Sequence, residues 1–449
     1  MRSPAVMSDR EKSDRPPDPG RKPSEQATRV AVAVTLVAIG SAAFAVAFRA
    51  SLSFIYRMLG GHDVLDAFMR LPPYMRVLVP AVGGLLAGIV SRVATKGGVG
   101  DVMEAVVLGK TQLSLGRTAW KALGSWVAIA SGGSVGREGP LIQFGGALGS
   151  MVARFTSLSN RSTRAIIAAG TAAGFTAAYN TPLAAVLFVL EIVTGVVVLE
   201  ALLPVMVATA IATALTRYFV GGGPIYGARA FTIASSPELL AHALLGVVAA
   251  FVGQGFMRLL SAGERLFARG YLQQPFRAAL GGALVGLLAI KLPQVTGNGY
   301  EPLNELLDGR YSLGLVAVLL VAKAFATTAS VSSGSPGGVF TPSLFLGGAV
   351  GLLFGHAVNA VGHVPGSPGS FALVGMAAAV AATTHAPMMA AVFVFEISAD
   401  YAIVLPLVLA TAIATMISRR LRPDSLYTAE LRHKGVGWKI TYEGRRFGE

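Results

Sequence analysis

Ser131–Pro140, with the sequence SGGSVGREGP, lies between two apolar segments. Its Arg137-Glu138 pair is framed by glycines at what we expect to be membrane depth, where charged side chains are costly and usually mark a functional site. Gly139-Pro140 then opens an apolar helix, and the N–H groups at a helix N-terminus attract an anion. We predict an anion site here, with the carboxylate of Glu138 at its mouth. The alternative is a loop whose Arg137 and Glu138 face water.

The same pattern returns in the second half of the chain, where Gly334–Pro342 reads GSPGGVFTP. Aligning Pro140 with Pro342 is a shift of 202 residues. The same shift superposes Gly136 on Gly338 and Lys121 on Lys323. A shift of 205 residues superposes Pro182–Glu191 on Pro387–Glu396, and a shift of 201 residues superposes Gly98–Glu104 on Gly299–Glu305. The chain therefore contains one duplicated unit. In membrane proteins, duplicated halves with Gly- or Pro-broken helices indicate a transport site between the repeats.

Several segments together resemble the CLC family of chloride channels and chloride/proton antiporters, also called the voltage-gated chloride channel family. They are GREGP at 136–140, GGVFTP at 337–342, NTPLAAVLFVLE at 180–191, HAPMMAAVFVFE at 385–396 and SLYTAELRHKG at 425–435. The resemblance extends from about residue 30 to residue 435. It implies an all-α polytopic membrane protein with two inverted-topology repeats and broken or re-entrant helices, of the prokaryotic type without CBS domains. It also implies a homodimer in which each subunit has its own pore.

The composition is that of an integral membrane protein. Apolar residues make up 53% of the chain and charged residues 13%, whereas a soluble domain carries about 25% charged residues. Many apolar segments are shorter than the roughly 20 residues that a spanning helix needs, which fits re-entrant helices covered by protein or by a water-filled cavity. Because the chain has no cysteine, thiolate metal sites and thiol catalysis are excluded. We expect no cofactor, no metal and no nucleic acid; the expected partners are the lipid bilayer, chloride or another small anion, and protons if transport is coupled.

Clusters of positive charge at both ends of the chain predict its orientation. Residues 1–29 hold seven Lys and Arg residues, and residues 419–449 hold eight. By the positive-inside rule both termini are expected in the cytoplasm, in a multi-pass protein of a bacterial inner membrane. We expect residues 1–29 to be a disordered cytoplasmic tail, 30–425 the transmembrane domain and 426–449 a short cytoplasmic tail. The repeats are expected at about 75–220 and 276–420.

The resemblance also implies how the anion is held. Backbone N–H groups at helix N-termini bind the dehydrated anion, a tyrosine hydroxyl closes the inner side, and the Glu138 carboxylate competes for the outer site until protonation lets it swing away. The expected anion-binding residues are Gly97, Gly98, Gly136, Arg137, Glu138, Val339, Phe340 and Tyr427. Lys121 and Lys323 are expected to raise the local positive potential. The alternatives are snorkelling for both lysines, core packing for the Phe340 ring and interface anchoring for Tyr427.

Two places depart from the family pattern. Lys96–Glu104, KGGVGDVME, takes the place of a Gly-Ser-Gly-Ile-Pro type loop, with Gly97 where a serine hydroxyl would reach the anion and Gly100 in place of the proline. Backbone N–H groups can still bind an anion there, so we predict a modified anion site rather than only a helix start. Ile192 stands where the antiporters carry a glutamate that relays protons from the cytoplasmic side. Because isoleucine cannot carry a proton, coupled antiport is in doubt.

Glu191 precedes that position, but consecutive residues of a helix point about 100° apart. It therefore faces away from the expected proton route. We favour a structural role, in which the Glu191 carboxylate bonds to backbone at the repeat interface. Glu396 is its counterpart in the second repeat.

The predicted function is transport of chloride or a similar monovalent anion, gated by Glu138, without covalent chemistry. The alternative is proton-coupled anion antiport that uses another inner proton route. A remote alternative comes from Gly98–Asp101, which fits the GxGD pattern of intramembrane aspartyl proteases. Those enzymes need two aspartates that share a proton, and Asp400 is the late candidate at the membrane edge. A protease would leave the duplication of the chain unexplained.

Overall fold

The regular structure of the protein is almost entirely α-helical. The computed structural model describes residues 23–93, 98–196, 198–223, 225–227, 236–362, 366–433, 435, 438–441 and 444–447. Its helices are α1 (Pro23–Met58), α2 (Val64–Arg70), α3 (Pro73–Val93), α4 (Val99–Val107), α5 (Leu115–Ala130), α6 (Glu138–Phe155), α7 (Asn160–Tyr179), α8 (Pro182–Phe188), α9 (Leu199–Val220), α10 (Ser236–Arg269), α11 (Phe276–Ala289), α12 (Tyr300–Leu307), α13 (Leu313–Ser332), α14 (Phe340–Gly362), α15 (Pro368–Thr384), α16 (Pro387–Ser398), α17 (Val404–Leu421) and α18 (Leu426–His433).

Three short elements complete the fold of the described residues. Helix α8 continues as a π-helical turn, Val189–Thr194, and a 3-10 turn, Pro293–Val295, lies before α12. After α18, the strands β1 (Trp438–Thr441) and β2 (Gly444–Phe447) pair antiparallel. This hairpin falls in the segment that the sequence predicts as a short tail.

Seven helical segments of the described chain are long and apolar enough to cross a membrane. They are Ser24–Met58, Pro73–Arg92, Leu199–Val220, Pro237–Arg269, Leu313–Ser332, Phe340–Val361 and Val404–Arg432. Shorter apolar helices such as α15 lie among them, and α15 is buried from Ser370 to Thr384. A helix that is apolar on all faces belongs in a core. The predicted all-α polytopic membrane fold is confirmed.

The sequence duplication is also a duplication of backbone. Helix α4 begins after Gly98 and α12 begins after Gly299, the pair that aligns at a shift of 201 residues. Helices α7 and α15 end on Asn180 and His385, which both adopt the left-handed conformation with φ of 59° and 60°. This conformation is uncommon for residues other than glycine. Its recurrence at aligned positions indicates that the two halves repeat the same local geometry.

Glu191 and Glu396 join the two halves by reciprocal hydrogen bonds. The Glu191 carboxylate accepts from the N–H of Met388 (3.3 Å) and Met389 (2.7 Å) at the start of α16. The Glu396 carboxylate accepts from the N–H of Leu183 (3.0 Å) and Ala184 (2.8 Å) at the start of α8. Each carboxylate therefore satisfies N–H groups that a helix N-terminus leaves unpaired. The contacts of Glu191 are those of the structural role that we favoured from sequence.

Close glycine contacts bring the helices of each repeat together. A β-carbon built on Gly145 of α6 would lie 2.0 Å from the carbonyl oxygen of Gly170 in α7. The same construction on Gly347 of α14 meets the carbonyl oxygen of Gly375 in α15 at 2.3 Å. Small residues let membrane helices approach backbone to backbone. Both repeats therefore depend on glycine at this crossing.

The predicted boundaries of the membrane domain need correction at both ends. Helix α1 begins at Pro23, inside the segment predicted as a disordered tail, and its first turns carry a Glu25–Arg29 ion pair of 2.7 Å. Residues 1–22 lie outside the described residues. At the other end, α18 begins just beyond the predicted boundary at residue 425, but Tyr427 and Leu431 are buried. This helix is therefore part of the packed domain, because its apolar face is covered by the helices of both repeats.

Candidate functional site

The two aligned loops meet directly through their backbones. Gly136 N–H donates to the carbonyl oxygen of Gly338 (2.7 Å), and Gly338 N–H donates back to Gly136 (2.9 Å). The sequence alignment paired these same two glycines. A β-carbon on Gly338 would lie 1.9 Å from a carboxylate oxygen of Glu138, and one on Gly136 would lie 2.1 Å from the other. Glycine at both positions therefore leaves room for the Glu138 side chain against the paired backbones.

The Glu138 carboxylate is buried and surrounded by hydrogen-bond donors. Glu138 is the first residue of α6 and is 2% exposed. Phe340 N–H donates to Oε1 at 2.9 Å. The hydroxyl groups of Tyr179 and Thr341 each lie 3.1 Å from Oε2. The carboxylate therefore occupies the kind of position that an anion would take at the N-terminus of α14.

Tyr179 and Thr341 also contact each other. Their hydroxyl oxygens are 2.7 Å apart, and either group can be the donor. The two hydroxyls thus supply two hydrogens for three contacts, so an ionised Glu138 can accept from both only when the contact between them is not a hydrogen bond. Protonation of Glu138 would supply a third hydrogen and change this pattern. The local hydrogen bonding is consequently sensitive to the charge of Glu138.

The Phe340 ring belongs to an aromatic cluster in the core. It is 1% exposed. Its centroid lies 5.8 Å from that of Phe175, 5.7 Å from that of Tyr179 and 5.1 Å from that of Phe393. Core packing, the alternative that the sequence left open for this ring, matches these contacts. The backbone N–H of Phe340 is what reaches the site.

One cavity brings together several of the predicted anion-binding residues, and we call it the Tyr427 cavity. Its volume is about 340 Å³, and its lining includes Gly98, Glu138, Val339 and Tyr427. The Tyr427 ring packs edge-on against Phe188, with centroids 5.7 Å apart. Gly97, the other expected anion-binding residue of the Lys96–Glu104 loop, lies outside the described residues.

A second cavity, of about 170 Å³, lies beside the C-terminus of α7, and we call it the Ala178 cavity. Ala178, Asn180 and Tyr300 are among its lining residues. The guanidinium of Arg137 donates to the Ala178 carbonyl oxygen at 3.3 Å. Arg137 is therefore directed to this cavity's wall and does not line the Tyr427 cavity. Tyr179 follows Ala178 in the chain and contacts Glu138, which itself lines the Tyr427 cavity. The Glu138 cluster is therefore linked by one residue to the wall of the Ala178 cavity.

The two aligned lysines lie in different environments. Lys121 lines the Tyr427 cavity. Lys323 is fully buried, at 0% exposure, and donates to the carbonyl oxygens of Val295 and Gly297, both at 2.9 Å. Only Lys121 is in the position expected for a residue that attracts anions into the cavity. Lys323 instead holds the turn before α12.

Ile192 lies in the π-helical turn after α8 and is 2% exposed. It is not among the residues that line the Tyr427 cavity. No carboxylate is present at this position, as the sequence already determines. The neighbouring Glu191 is committed to the start of α16 by the two hydrogen bonds described above.

Three polar residues at the site were missed by the sequence reasoning. Tyr179 and Thr341 contact Glu138, and Glu430 lines the Tyr427 cavity. The Glu430 carboxylate accepts a hydrogen bond from Gly100 N–H at 3.3 Å, near the start of α4. All three belong to or adjoin the motifs that carry the family resemblance, which was the available signal. Their orientation toward the site depends on side chains from distant helices.

Each of the two aspartates of the protease alternative accepts a hydrogen bond from a different residue. Asp101 accepts a hydrogen bond from Gln143 at 3.2 Å. Asp400 accepts from the N–H of Ala402 at 3.0 Å, in the turn before α17. Neither hydrogen bond joins one aspartate to the other. The geometry therefore gives the GxGD pattern no support beyond its four letters.

Comparisons with known proteins give consistent matches over most of the chain. The family described as "Voltage gated chloride channel" matches residues 81–419. The chain is 39% identical over 409 residues to the "Putative chloride channel protein ClcB-like" of Ralstonia nicotianae, a match that covers 88% of this chain and 95% of that protein. It is 35% identical over 379 residues to the voltage-gated ClC-type chloride channel ClcB of Citrobacter koseri, covering 81% and 89% of the two chains.

Solved structures show the same fold at lower sequence identity. A slow cyanobacterial Cl⁻/H⁺ antiporter superposes with a TM-score of 0.82 at 22% identity, over 90% of this chain and 98% of that chain. A CLC-type fluoride/proton antiporter superposes with a TM-score of 0.76 at 20% identity, over 91% and 99% of the two chains. At these identities the likeness concerns the fold alone.

Proposed function

The chain belongs to the voltage-gated chloride channel family, and from that premise we propose that it moves chloride or a similar monovalent anion past Glu138, with weak or absent coupling to protons. Members of this family transport anions across membranes, and the chain is a multi-pass membrane protein rather than an enzyme. The observation that supports the proposal most is the hydrogen bond from the Phe340 N–H to the buried Glu138 carboxylate.

Glu138 is the proposed gate. In the closed form its carboxylate takes the anion's place at the N-terminus of α14 and is held by the hydroxyls of Tyr179 and Thr341. Protonation removes its charge and weakens all three contacts, since hydrogen bonds to a charged acceptor are stronger than those to a neutral one. The side chain can then leave, and the freed N–H of Phe340 is available to an anion. Anion entry should therefore increase as the pH falls.

The two cavities define the proposed route. An anion would enter from the Ala178 cavity, replace Glu138 and continue into the Tyr427 cavity, where Tyr427 is the proposed hydroxyl ligand and Lys121 raises the potential. Loop N–H groups at Gly98 and Val339 would replace part of the lost hydration. We assign the Tyr427 cavity to the cytoplasmic side, because it lies near the basic segment from Arg419 onward and positive charge favours that side.

Weak proton coupling is proposed from the inner half of the route. A crossing proton must move between titratable groups or ordered waters, and Ile192 offers neither. Antiport by another inner route is the second candidate, and it is favoured by Glu138 itself, since a carboxylate that must be protonated to open can carry that proton. Two structural relatives are described as antiporters, of chloride and of fluoride with protons.

Assembly and location complete the proposal. We propose a homodimer with one pore in each subunit, in a bacterial inner membrane, with both termini in the cytoplasm. The basic residues near both ends support this orientation. Inter-subunit cross-linking in native membranes, with accessibility labelling of engineered cysteines near each terminus, would test assembly and orientation separately, since the natural chain has no cysteine.

Efflux from liposomes tests the transport function. Purified protein is reconstituted with internal chloride, nitrate or fluoride, the membrane potential is clamped with valinomycin and potassium, and anion and pH electrodes record together. We expect downhill anion efflux with protons at equilibrium. Uphill proton movement at a fixed anion-to-proton ratio would replace our proposal with the antiporter alternative, and silence towards every anion would overturn the transport assignment.

Ile192→Glu is the companion variant in the same assay. If the missing inner carboxylate is the only defect, the variant should gain measurable uphill proton movement where the parent protein has none. Ile192→Gln is the matched control, because it adds a polar side chain of the same length that does not titrate. A gain in both variants, or in neither, would show that the absence of this carboxylate alone does not limit coupling.

A further inference from the structure

The carboxylate of Glu430 occupies the N-terminal end of α4. Its Oε2 accepts from Gly100 N–H at 3.3 Å. A β-carbon built on Gly98 would lie 2.5 Å from both carboxylate oxygens, so the absence of a side chain at this position leaves room for the carboxylate. Gly98 is the N-cap of α4 and makes no side-chain capping bond. A side chain from the opposite end of the domain therefore takes the place of a local cap.

This is the same loop that the sequence predicts to be a modified anion site. Gly98 and Glu430 both line the Tyr427 cavity, together with Glu138. Tyr427 and Glu430 are three residues apart in α18, a spacing that puts two side chains on the same face of a helix. A hydroxyl donor and a carboxylate of one short helix are therefore presented to one cavity, beside the loop that is expected to bind the anion.

We propose that Glu430 is a second tethered anion of the transport route: its carboxylate occupies the Gly100 N–H at the start of α4, and a transported anion must displace it to bind there. The inference rests on the proposed anion route and adds an inner gate to it. Glu138 takes the N-terminal N–H of α14 in the second repeat, and Glu430 takes that of α4 in the first. Each carboxylate thus competes with the anion at one helix N-terminus.

The other charged groups of the cavity determine how this inner carboxylate responds. Lys121 and Arg422 supply positive charge, and Glu264 supplies a further carboxylate beside Glu138 and Glu430. Arg422 donates to the carbonyl oxygen of Met257 and the hydroxyl of Ser261, which holds it at the wall formed by α10. Removing any one carboxylate therefore changes the field in the cavity, and a test must separate that effect from occupation of the α4 N–H groups.

The helices packed against α18 add few further charges. On α4, Asp101 is held by Gln143 and Glu104 by Lys110. Helix α15, which also packs against α18, carries no titratable side chain. Arg432, on α18 itself, pairs with Asp424 at 3.0 Å. Glu430 is thus the acidic residue of α18 that lines the cavity.

Chloride titration by calorimetry tests the proposal in detergent-solubilised full-length protein. Glu430→Gln removes the competing charge and keeps the length of the side chain, so chloride affinity should rise by about tenfold, the equivalent of one charge-assisted hydrogen bond. Glu264→Gln is the matched control, because it removes the same charge from the same cavity without a contact to α4. Its affinity should rise by much less.

Unchanged affinity in Glu430→Gln, or an equal rise in Glu264→Gln, would overturn the inner gate. Glu430→Asp is the second variant: it keeps the charge but withdraws the carboxylate by one methylene, and it too should bind chloride more tightly than the parent protein. An affinity at or below the parent value in Glu430→Asp would count against displacement as the mechanism. This variant keeps the proposal open to test even where Glu430→Gln does not fold.

Liposome efflux of the same three variants distinguishes this inference from the transport proposal. Parent protein and variants that are all silent would overturn anion transport itself. Efflux in the parent protein that is the same in Glu430→Gln and Glu264→Gln would leave transport standing and remove the inner gate. Efflux that is altered specifically in Glu430→Gln, together with tighter chloride binding, is the result we expect.

Discussion

The loop at 136–140 supplies a carboxylate, and the aligned loop at 338–342 supplies the backbone N–H that receives it. Glu138 and Phe340 occupy equivalent positions of the two repeats, at a shift of 202 residues, yet one contributes its side chain to the site and the other its N–H. The frame around them is symmetric: Gly136 and Gly338 exchange backbone hydrogen bonds. Duplication thus preserved the backbone geometry, while the proposed gate uses positions where the repeats differ.

The aligned lysines show the converse case, in which identical residues have different environments. Lys121 and Lys323 are identical residues at equivalent positions, but one lines the Tyr427 cavity and the other is bonded to two buried carbonyl oxygens. Identity of sequence therefore does not imply identity of role. The surrounding helices decide which lysine lines the cavity and which one bonds to a turn.

The largest expected effect comes from removing the charge that distinguishes the two loops. In the parent protein, anion flux should rise by up to about tenfold per pH unit as the pH falls, since the proposed gate opens by a single protonation. Glu138→Gln should keep a flux and lose this dependence. Efflux from liposomes between neutral and acidic pH measures this pH dependence. Glu191→Gln is the control, because it alters a carboxylate that joins the two repeats. A parental pH profile in Glu138→Gln would contradict the gating role.

The lysine pair should give the next largest effect. Lys323→Met leaves two buried carbonyl oxygens without their donor, a loss of about 1–3 kcal/mol for each, so its unfolding temperature in detergent should drop clearly. Lys121→Met should change stability by no more than about 0.5 kcal/mol and should weaken chloride binding instead. Equal destabilisation by the two substitutions would show that our distinction between the two environments is wrong.

Tyr427 lies beyond the predicted end of the second repeat at residue 420, so it tests a contribution from outside the predicted repeats. Tyr427→Phe removes one hydroxyl donor, and anion binding should weaken by roughly 1.5–3 kcal/mol if that hydroxyl reaches the anion. Calorimetric titration with chloride measures the change. Tyr311→Phe is the control, because the Tyr311 hydroxyl bonds to Glu305 and does not line the cavity. Unchanged affinity would return Tyr427 to the role of an interface anchor.

The smallest effect should come from the symmetric pair of the frame. Glu191→Gln and Glu396→Gln each replace a charged acceptor by a neutral one at a helix N-terminus, which should cost about 1–2 kcal/mol of stability. Because the two sites have the same geometry, the losses should be nearly equal. Thermal unfolding of the two variants side by side measures them, and a loss confined to one variant would show that the halves are not held together symmetrically.

Much of this protein could be predicted from residues that are close together in the sequence. The apolar segments, the three near-equal shifts and the glycines around Arg137 and Glu138 are local patterns, and local patterns determine membrane insertion, helix starts and the spacing of a repeat. The prediction of an all-α fold with two repeats follows from them. So does the position of Glu138 at the start of a helix.

Contacts between residues that lie far apart in the chain were decided by the tertiary structure alone. Tyr179 is 41 residues from Glu138, Thr341 is 203 residues from it, and Glu430 is 330 residues from Gly100. Neither periodicity nor spacing specifies which face of a helix turns toward such a partner. The different environments of the two lysines have the same origin. Lys323 is buried and Lys121 lines a cavity because the packing of the surrounding helices, and not the residue type, determines how exposed each side chain is.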